Sequence, residues 1–396
     1  MSRFVQLHLL TSYPPANLNR DDLGRPKTAK MGGVDRLRTS SQTNKRAWRT
    51  SDIFEEAMAG HIGTRTKEMG LKIYEKLRQR GVEHRAALDW TKPIAEVFGK
   101  LKELSKKEKE GLKDLSEEER IKKELVGLEI EQLAFFDTEE EKDIFALTEA
   151  IAARNAGAST EELRLLREKM HAVDIALFGR MLASSPAYNI EAACQVAHAI
   201  SVHPVAIEDD YFTAVDDLND GREDSGAAHI GETGFAAGLF YSYICLNREL
   251  LEENLDGDND LAQRAIRALT EAAVKVSPEG KQNSFGSRAY ASYILAEKGN
   301  QQPRSLSVAF LKPITGSDYG TDAITALTTQ LNNMDAVYGK CADSRFFINA
   351  LSGCGGIYLV QHDKSDMSSD PQQESESPAE KDKPPLFGQL LDFVST

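Results

Sequence analysis

Between Gly32 and Arg49 the chain reads GGVDRLRTSSQTNKRAWR, and these are the residue types of an anion clamp. Two glycines are followed by Arg36 and Arg38, by Ser40 and Ser41, and by a basic run containing Lys45, Arg46 and Arg49. Either serine is a good N-cap, because its hydroxyl can accept from a free backbone N–H of a first helical turn. Helical spacing then puts Gln42, Lys45, Arg46 and Arg49 on one face. Free N–H groups at such a start, flanked by guanidiniums, suit a phosphate. Glycines let backbone approach a ligand with no Cβ in the way. A solvated basic helix after a flexible loop fits the same pattern, since charge runs are commonly plain surface.

Other chemistry is thinly supplied. Asp21, Asp22 and Asp35 lie close in sequence to the clamp, where carboxylates beside a phosphate could hold Mg²⁺. Pairing with Arg20, Arg36 or Arg38 is the better reading, because no second acidic cluster stands at matching spacing. Cys194, His198 and His203 offer three possible metal ligands without a C-x-x-C pair, and core or strand positions suit them better. Gly353-Cys354-Gly355-Gly356 lacks the Lys-Ser/Thr of a phosphate loop, and no G-x-S-x-G is present. No metal and no cofactor is expected.

The charge balance locates the clamp. Over 396 residues the formal net charge is −14, yet residues 1–50 hold ten Lys/Arg against three Asp/Glu, leaving −21 on the remainder. A local anion site can sit on an acidic protein because exposed charges beyond about 10 Å are mostly screened. Four cysteines without paired spacing, no membrane-length apolar run and no signal-peptide pattern lead to the expectation of a soluble, cytoplasmic protein without disulfides.

The elements that must carry the clamp follow from periodicity. Phe4 to Thr11 alternates like a strand, with Val5, Leu7 and Leu9 on one face. Asn17 to Gly33 reads as a long loop, and the basic helix runs to about Met58. Gly60 to about His171 is helical in pattern, with Lys100 to Glu124 dense in charges of both signs, as in a solvated helix pair. Val173, Ile175 and Leu177 alternate like a strand. Glu191 to Ser201 cannot be divided between helix and strand by period alone. Tyr211 to Leu218 reads as extended, Asn219 to Gly226 as a polar turn and Ala227 to Ile230 as the returning arm of a hairpin. Phe235–Leu246, Tyr290–Leu295, Ser305–Phe310 and Gly356–Val360 are further strand candidates. Helices are expected over Glu249–Val276 and Thr321–Leu331. Gln361 to Pro385 reads as a disordered acidic tail, and Leu386 to Val394 as a short amphipathic end. Strands interleaved with helices around a long helical insert indicate an α+β core with a split chain path.

Taken together, Leu18-Asn19-Arg20-Asp21-Asp22, Gly32-Gly33, Arg36, Arg38, Ser40-Ser41-Gln42, Lys45-Arg46 and Arg49 resemble the CasC family, the backbone subunit of the type I-E CRISPR surveillance complex, Cascade. Asp174-Ile175-Ala176-Leu177, Gly179-Arg180-Met181, Ala197-His198-Ala199-Ile200, Phe212 to Leu218 and Ala228-His229-Ile230-Gly231 agree with it. The resemblance spans Arg3 to about Val276 and weakens afterwards. It implies an RRM-like (ferredoxin-like) palm from residues 1–59, 172–207 and 231–360. A helical fingers insertion would occupy 60–171 and a β-hairpin thumb 208–230, with the acidic stretch 361–396 read from composition as a tail beyond them. It also implies a non-catalytic protein that polymerises along a CRISPR RNA. The chain would present that guide to target DNA beside copies of itself and the subunits CasA, CasB, CasD and CasE. By position, Arg20, Lys27, Ser40, Gln42, Lys45, Arg46 and Arg49 would hold the RNA backbone, with Arg36 and Arg38 alongside, while Met181, Phe212 and Thr213 would wedge into the guide. Core packing is the plain reading of Met181 and Phe212 without the resemblance. The charged insert and the acidic tail depart from the family's pattern. A metal-dependent endoribonuclease of the type III kind is the rival, resting on Asp35. A DNA-binding regulator lacks a compact helix-turn-helix.

Overall fold

Every residue from Val5 to Thr11 is buried, so the first strand is covered on both faces. In a computed structural model that describes residues 2–103, 105, 116–167, 169–214, 229–358 and 385–396, it is the inner strand β1 (Phe4–Ala16). It is followed by β2 (Thr28–Met31), β3 (Val34–Thr39), β4 (Thr64–Thr66), β5 (Ala134–Phe136), β6 (Cys194–Val196) and β7 (Ala199–Ser201). Then come β8 (Glu208–Ala214), β9 (His229–Asn247), β10 (Ala291–Gly299), β11 (Ser344–Asn349) and β12 (Cys354–Ile357). Contacts group the chain into two units. The first contains Met1–Ala57, Cys194–Arg248 and Gln263–Thr396, and the second Met58–Ala193 with Glu249–Ala262.

The first unit is built on an antiparallel sheet in the order β12-β11-β10-β1-β9-β7-β3-β2, with β6 and β8 also paired to β9. The helix Tyr319–Tyr338 covers one part of it through Ala323, Leu327 and Leu331, which pack with Leu10, Tyr241, Tyr293 and Leu295. The C-terminal helix Leu386–Ser395 buries Leu390, Leu391 and Val394, as its amphipathic pattern predicts. The second unit is mainly helical. Helices Met69–Gln79, His84–Glu96 and Thr138–Arg154 share a core with Phe98 and Phe136 beside the short β4–β5 pair. The architecture is therefore α+β. Among the described residues no helix is long and apolar enough to cross a membrane.

Several elements differ from expectation. Val173–Phe178 is a helix, not a strand, and Val173 to Leu177 are all buried. Its apparent alternation came from counting Asp174 as outward, whereas that carboxylate points inward and accepts from Gly63 N at 2.8 Å. Ser307–Phe310 is a 3₁₀ turn rather than a strand. The loop expected up to Gly33 contains β2, and β11, between Asp343 and Ala350, was not among the strand candidates. The charged insert contributes the helix Glu117–Val126, opened by a capping box at Ser116 and burying no residue. Residues 104 and 106–115 of that insert, the Asn219–Gly226 turn and residues 361–384 of the acidic tail lie outside the described residues.

The inner face of β1 is polar, and its partners fix it. Glu297 on β10 is fully buried and accepts from His8 Nε2 at 3.0 Å, from Arg345 Nε at 2.7 Å and from both terminal nitrogens of Arg304. Burial alone would raise the Glu297 pKa, but the hydrogen bonds from His8 and Arg304 and the charge of Arg304 outweigh it and hold the carboxylate well below its usual range. Burial keeps His8 neutral, and the nearby Arg304 and Arg345 cations push the same way against the pull of Glu297. The neutral ring donates from Nε2, so Nδ1 must accept, from Tyr241 O–H at 2.8 Å. Tyr241 in turn accepts from Leu306 N at 3.0 Å.

Removing the carboxylate strands buried cations. Glu297→Gln is expected to destabilise the first unit by about 3–5 kcal/mol in urea unfolding, and a loss below about 1 kcal/mol would show the network to be dispensable. The pH dependence has a definite sign. The folded pKa of Glu297 is depressed, so its stabilisation is full above the usual carboxylate value and is lost in acid. His8 is also depressed, so protonation of the unfolded state opposes folding as pH falls through 6.5. The thermal midpoint should therefore fall on going from about pH 7 to about pH 5.

Candidate nucleic-acid interface

The first unit assembles its basic surface around one buried arginine. Met31 and Val34 are joined by Gly32 and Gly33, whose φ angles of 63° and 82° are the pair that a type I′ hairpin turn needs. A Cβ on Gly32 would lie 1.7 Å from the Leu311 carbonyl oxygen, so these glycines serve a turn and a backbone contact rather than a ligand. Behind the turn, Arg36 is fully buried. Its guanidinium donates to the carbonyls of Met31 (3.3 Å), Ser201 (2.9 Å) and Phe310 (2.9 Å). Arg36 is thus a brace between β2–β3, β7 and the 3₁₀ turn, not a ligand-facing cation, and that expectation is corrected. Charge type alone did not reveal which way it points.

The loop ahead of β2 is closed by side chains. Asn17, fully buried, donates from Nδ2 to the carbonyls of Gly24 (2.9 Å) and Gly234 (2.8 Å). Asn19 Oδ1 accepts from Ser40 N at 2.9 Å, and its carbonyl accepts from Lys27 N at 2.8 Å. Asp21 spends its carboxylate on the N–H groups of Leu23 and Arg25, as an Asx turn does. It does not pair with Arg20, Arg36 or Arg38, and that expectation also fails: Arg36 is held by carbonyls and Arg38 by His198 at 3.0 Å. Asp35 lies exposed on β3 opposite Lys30. Among the described residues, no group of three or more His, Cys, Asp or Glu could hold a metal. His203 uses both ring nitrogens on backbone: Nδ1 donates to the Pro204 carbonyl at 2.8 Å and Nε2 accepts from Leu239 N at 3.1 Å. Cys194 is buried, and burial pushes its thiol up to about 12.

The basic helix is α1 (Ser41–Arg49), separated from α2 (Asp52–Ala57) by Thr50 and Ser51, which bond back to its last carbonyls. Ser40 caps it, accepting from Thr43 N at 3.3 Å, and is itself buried. Its contribution is to set the helix start. Asn44, Ala47 and Trp48 anchor the inner face, while Gln42 and Arg46 are exposed and Lys45 and Arg49 half-buried. Arg46 and Thr43 line a cavity of about 520 Å³ with Asn19, Arg20, Asp22 and Glu279. Arg25 pairs with Asp209 at 3.0 Å, whereas Arg20, Lys27, Arg38 and Arg46 have no carboxylate partner among the described residues. Cations left uncompensated on one surface can bind a polyanion through its phosphates.

Beside this surface, β8 and the start of β9 form a two-stranded ribbon, pairing Glu208 with Phe235 through Ala214 with His229. The pairing of β1 to β9 stops at Ala236, so the ribbon runs past the sheet. Phe212, 41% exposed, lies across Gly231, where an added Cβ would meet its ring at 2.4 Å. Thr213 is exposed next to it. Met181 belongs to the second unit and is 73% exposed. Its neighbour Arg180 is buried, paired to Glu140 at 2.6 Å and bridged to Ile190, so the segment that displays Met181 is fixed. Sequence reasoning missed Asn17 as the tie of the loop and His198 as the partner of Arg38. No local pattern announces contacts that span 217 and 160 residues.

The family described as CT1975-like protein matches residues 5–357 of this chain. No curated protein matches it. Among solved structures, a chain of a "CRISPR RNA-guided surveillance complex, pre-nicking" is similar at 27% identity with a TM-score of 0.73, over 99% of this chain and 100% of that one. A chain of a "CRISPR RNA-guided surveillance complex" shares the fold at 23% identity and a TM-score of 0.55, over 98% and 99%.

The two kinds of arginine should separate experimentally. Arg36→Ala removes a buried guanidinium and its bonds to the buried Ser201 and Phe310 carbonyls, and is expected to lower stability by about 3 kcal/mol or more. Arg46→Ala should stay within about 0.5 kcal/mol of the parent chain. Calorimetric melts of both variants check this, and an Arg36→Ala chain as stable as the parent would refute the brace.

Proposed function

Because the chain belongs to the CT1975-like family, we propose that it is an RNA-binding backbone subunit of a CRISPR RNA-guided surveillance complex, of type I-E. The observation that carries the reading is the set of Arg20, Lys27, Arg38 and Arg46, none of which forms an ion pair with a carboxylate among the described residues, together with Lys45 and Arg49 on α1. It suits a backbone held through its phosphates without sequence preference. The whole-chain similarity to surveillance-complex subunits supports the same role.

In this reading residues 1–59, 172–207 and 231–360 form the RRM-like palm, 60–171 the fingers, and the β8–β9 ribbon the thumb. Gln42, Lys45, Arg46, Arg49, Arg20, Lys27 and Arg38 hold the guide's backbone. Phe212, Thr213 and Met181 press on its bases, for which an aromatic contact is worth roughly 1–3 kcal/mol per base. Copies of the chain follow one another along a CRISPR RNA by head-to-tail contacts that do not close. Base pairing with target DNA, rather than the protein, reads sequence. CasA, CasB, CasD and CasE are the remaining partners, and the assembly is cytoplasmic. The chain itself is not an enzyme: it positions RNA, and Asp21, the carboxylate closest in sequence to Arg20, is committed to a turn.

Two measurements test this. Lys45→Ala with Arg49→Ala should weaken binding of all single-stranded RNA sequences alike, each lost phosphate contact lowering the slope of log K against log salt by about 0.7. An unchanged slope, or a loss confined to some sequences, counts against a backbone clamp. The assembled complex incubated with RNA complementary to its guide and Mg²⁺ or Mn²⁺ should leave that RNA intact. Regularly spaced cuts that disappear in Asp35→Ala would replace the reading with a type III-like endoribonuclease.

A further inference from the structure

Three basic side chains stand in a row across neighbouring strands. Thr28 pairs with Leu37, and Arg38 N donates to the Lys27 carbonyl at 2.8 Å, which sets Lys27 across from Arg38. On the other side Arg38 pairs with Ile200. His198 stands two residues before Ile200, in the link between β6 and β7. From that link the imidazole meets Arg38, whose Nη1 lies 3.0 Å from His198 Nδ1. A guanidinium can only donate, so Nδ1 must carry its lone pair. The ring is then the neutral tautomer with its proton on Nε2. The charged groups facing His198 are Arg38 from β3 and Lys27 from the lead into β2; no carboxylate pairs with it among the described residues. Partial burial and these two cations all favour the neutral ring.

An arriving phosphate reverses that balance. It attracts Arg38, which cannot serve the imidazole lone pair and the phosphate with the same N–H. It also supplies the negative charge that a protonated ring lacks in the empty chain. We propose that His198 is a proton-linked member of this anion site: it parks Arg38 while the groove is empty, and takes up a proton from solvent when a phosphate seats on Arg38 and Lys27. The Arg38 N–H moves from Nδ1 to a phosphate oxygen, Nδ1 gains the proton, and the ring becomes a third donor to the anion. At most one proton is bound per phosphate seated, at a pH between the free- and bound-state pKa values, and no bond other than those to hydrogen is made or broken. This inference rests on the RNA-binding reading of the groove.

The sign follows from linkage. Well above the bound-state pKa of His198 the ring is neutral with or without RNA and does not couple. As pH falls below that value, proton uptake favours the complex, and the gain is complete once pH is below the free-state pKa. Each unit between the two values is worth tenfold in affinity, so binding about three- to tenfold tighter at about pH 6 than at about pH 8 is expected. His198→Asn keeps an acceptor for Arg38 but cannot be protonated.

The experiment measures oligouridylate binding by the full chain and by His198→Asn at constant ionic strength from about pH 6 to about pH 8. Calorimetry in two buffers of different ionisation enthalpy counts the protons taken up. The parent chain should take up protons and tighten as pH falls, and His198→Asn should lose that part of both signals. Equal pH slopes and equal proton uptake in two chains that both bind would overturn the proposal while leaving the RNA-binding reading standing. A parent chain that binds no oligouridylate at any pH would overturn both.

Discussion

A single buried guanidinium sets the position of everything on the basic surface. Arg36 reaches three carbonyls that belong to separate parts of the chain: Met31 before the hairpin turn, Ser201 at the end of β7 and Phe310 in the 3₁₀ turn. A buried cation is costly unless its donors are satisfied, and carbonyl dipoles are weaker compensation than a carboxylate. The arrangement persists because the three acceptors are already fixed by other bonds. Ser201 Oγ accepts from Leu37 N and donates to the His203 carbonyl, and His203 stacks on Tyr319 with ring centroids 4.4 Å apart.

That fixing extends across the sheet. Glu297 orients His8, His8 orients the Tyr241 hydroxyl, and Tyr241 accepts from Leu306 at the head of the segment that ends in Phe310. Each member has one compatible protonation state, so every bond in the relay donates in one direction, toward the carboxylate. A relay of this kind contributes specificity more than net stability, because its charges were well solvated before folding. In the second unit, the pairing of Arg180 with Glu140 does the same for the segment that displays Met181.

Local features of the interface were legible in the sequence. The cap at Ser40, the start of α1, the outward set of Gln42 and Arg46 and the β1 alternation all depend on residues within one or two turns of each other. What could not be read depends on distant partners. Arg36 and Arg38 sit two residues apart on one strand with equal charge, yet one is braced inside and the other faces His198. The sequence pattern read neither into a strand, and β3 is set by its partners β2 and β7 rather than by local alternation. Val173–Phe178 was misread because a buried carboxylate with a backbone partner looks, in a string of letters, like a solvent-facing residue. Asn17 looked like an ordinary loop residue, although its amide fastens the loop to Gly234.

The nineteen residues of β9 run without interruption from the ribbon into the sheet, where they pair with β1, β6 and β7. At about 3.3 Å per residue that is a span of roughly 60 Å with no joint in it. The reach of the ribbon is consequently quantised. Lengthening both of its arms by two residues advances the tip by about 7 Å and keeps every side chain on its own face. A change of one residue instead turns each face over, exchanging what Phe212 touches for what its neighbours Tyr211 and Thr213 touch. Any chain that keeps this architecture can vary its spacing along a ligand only in steps of two residues.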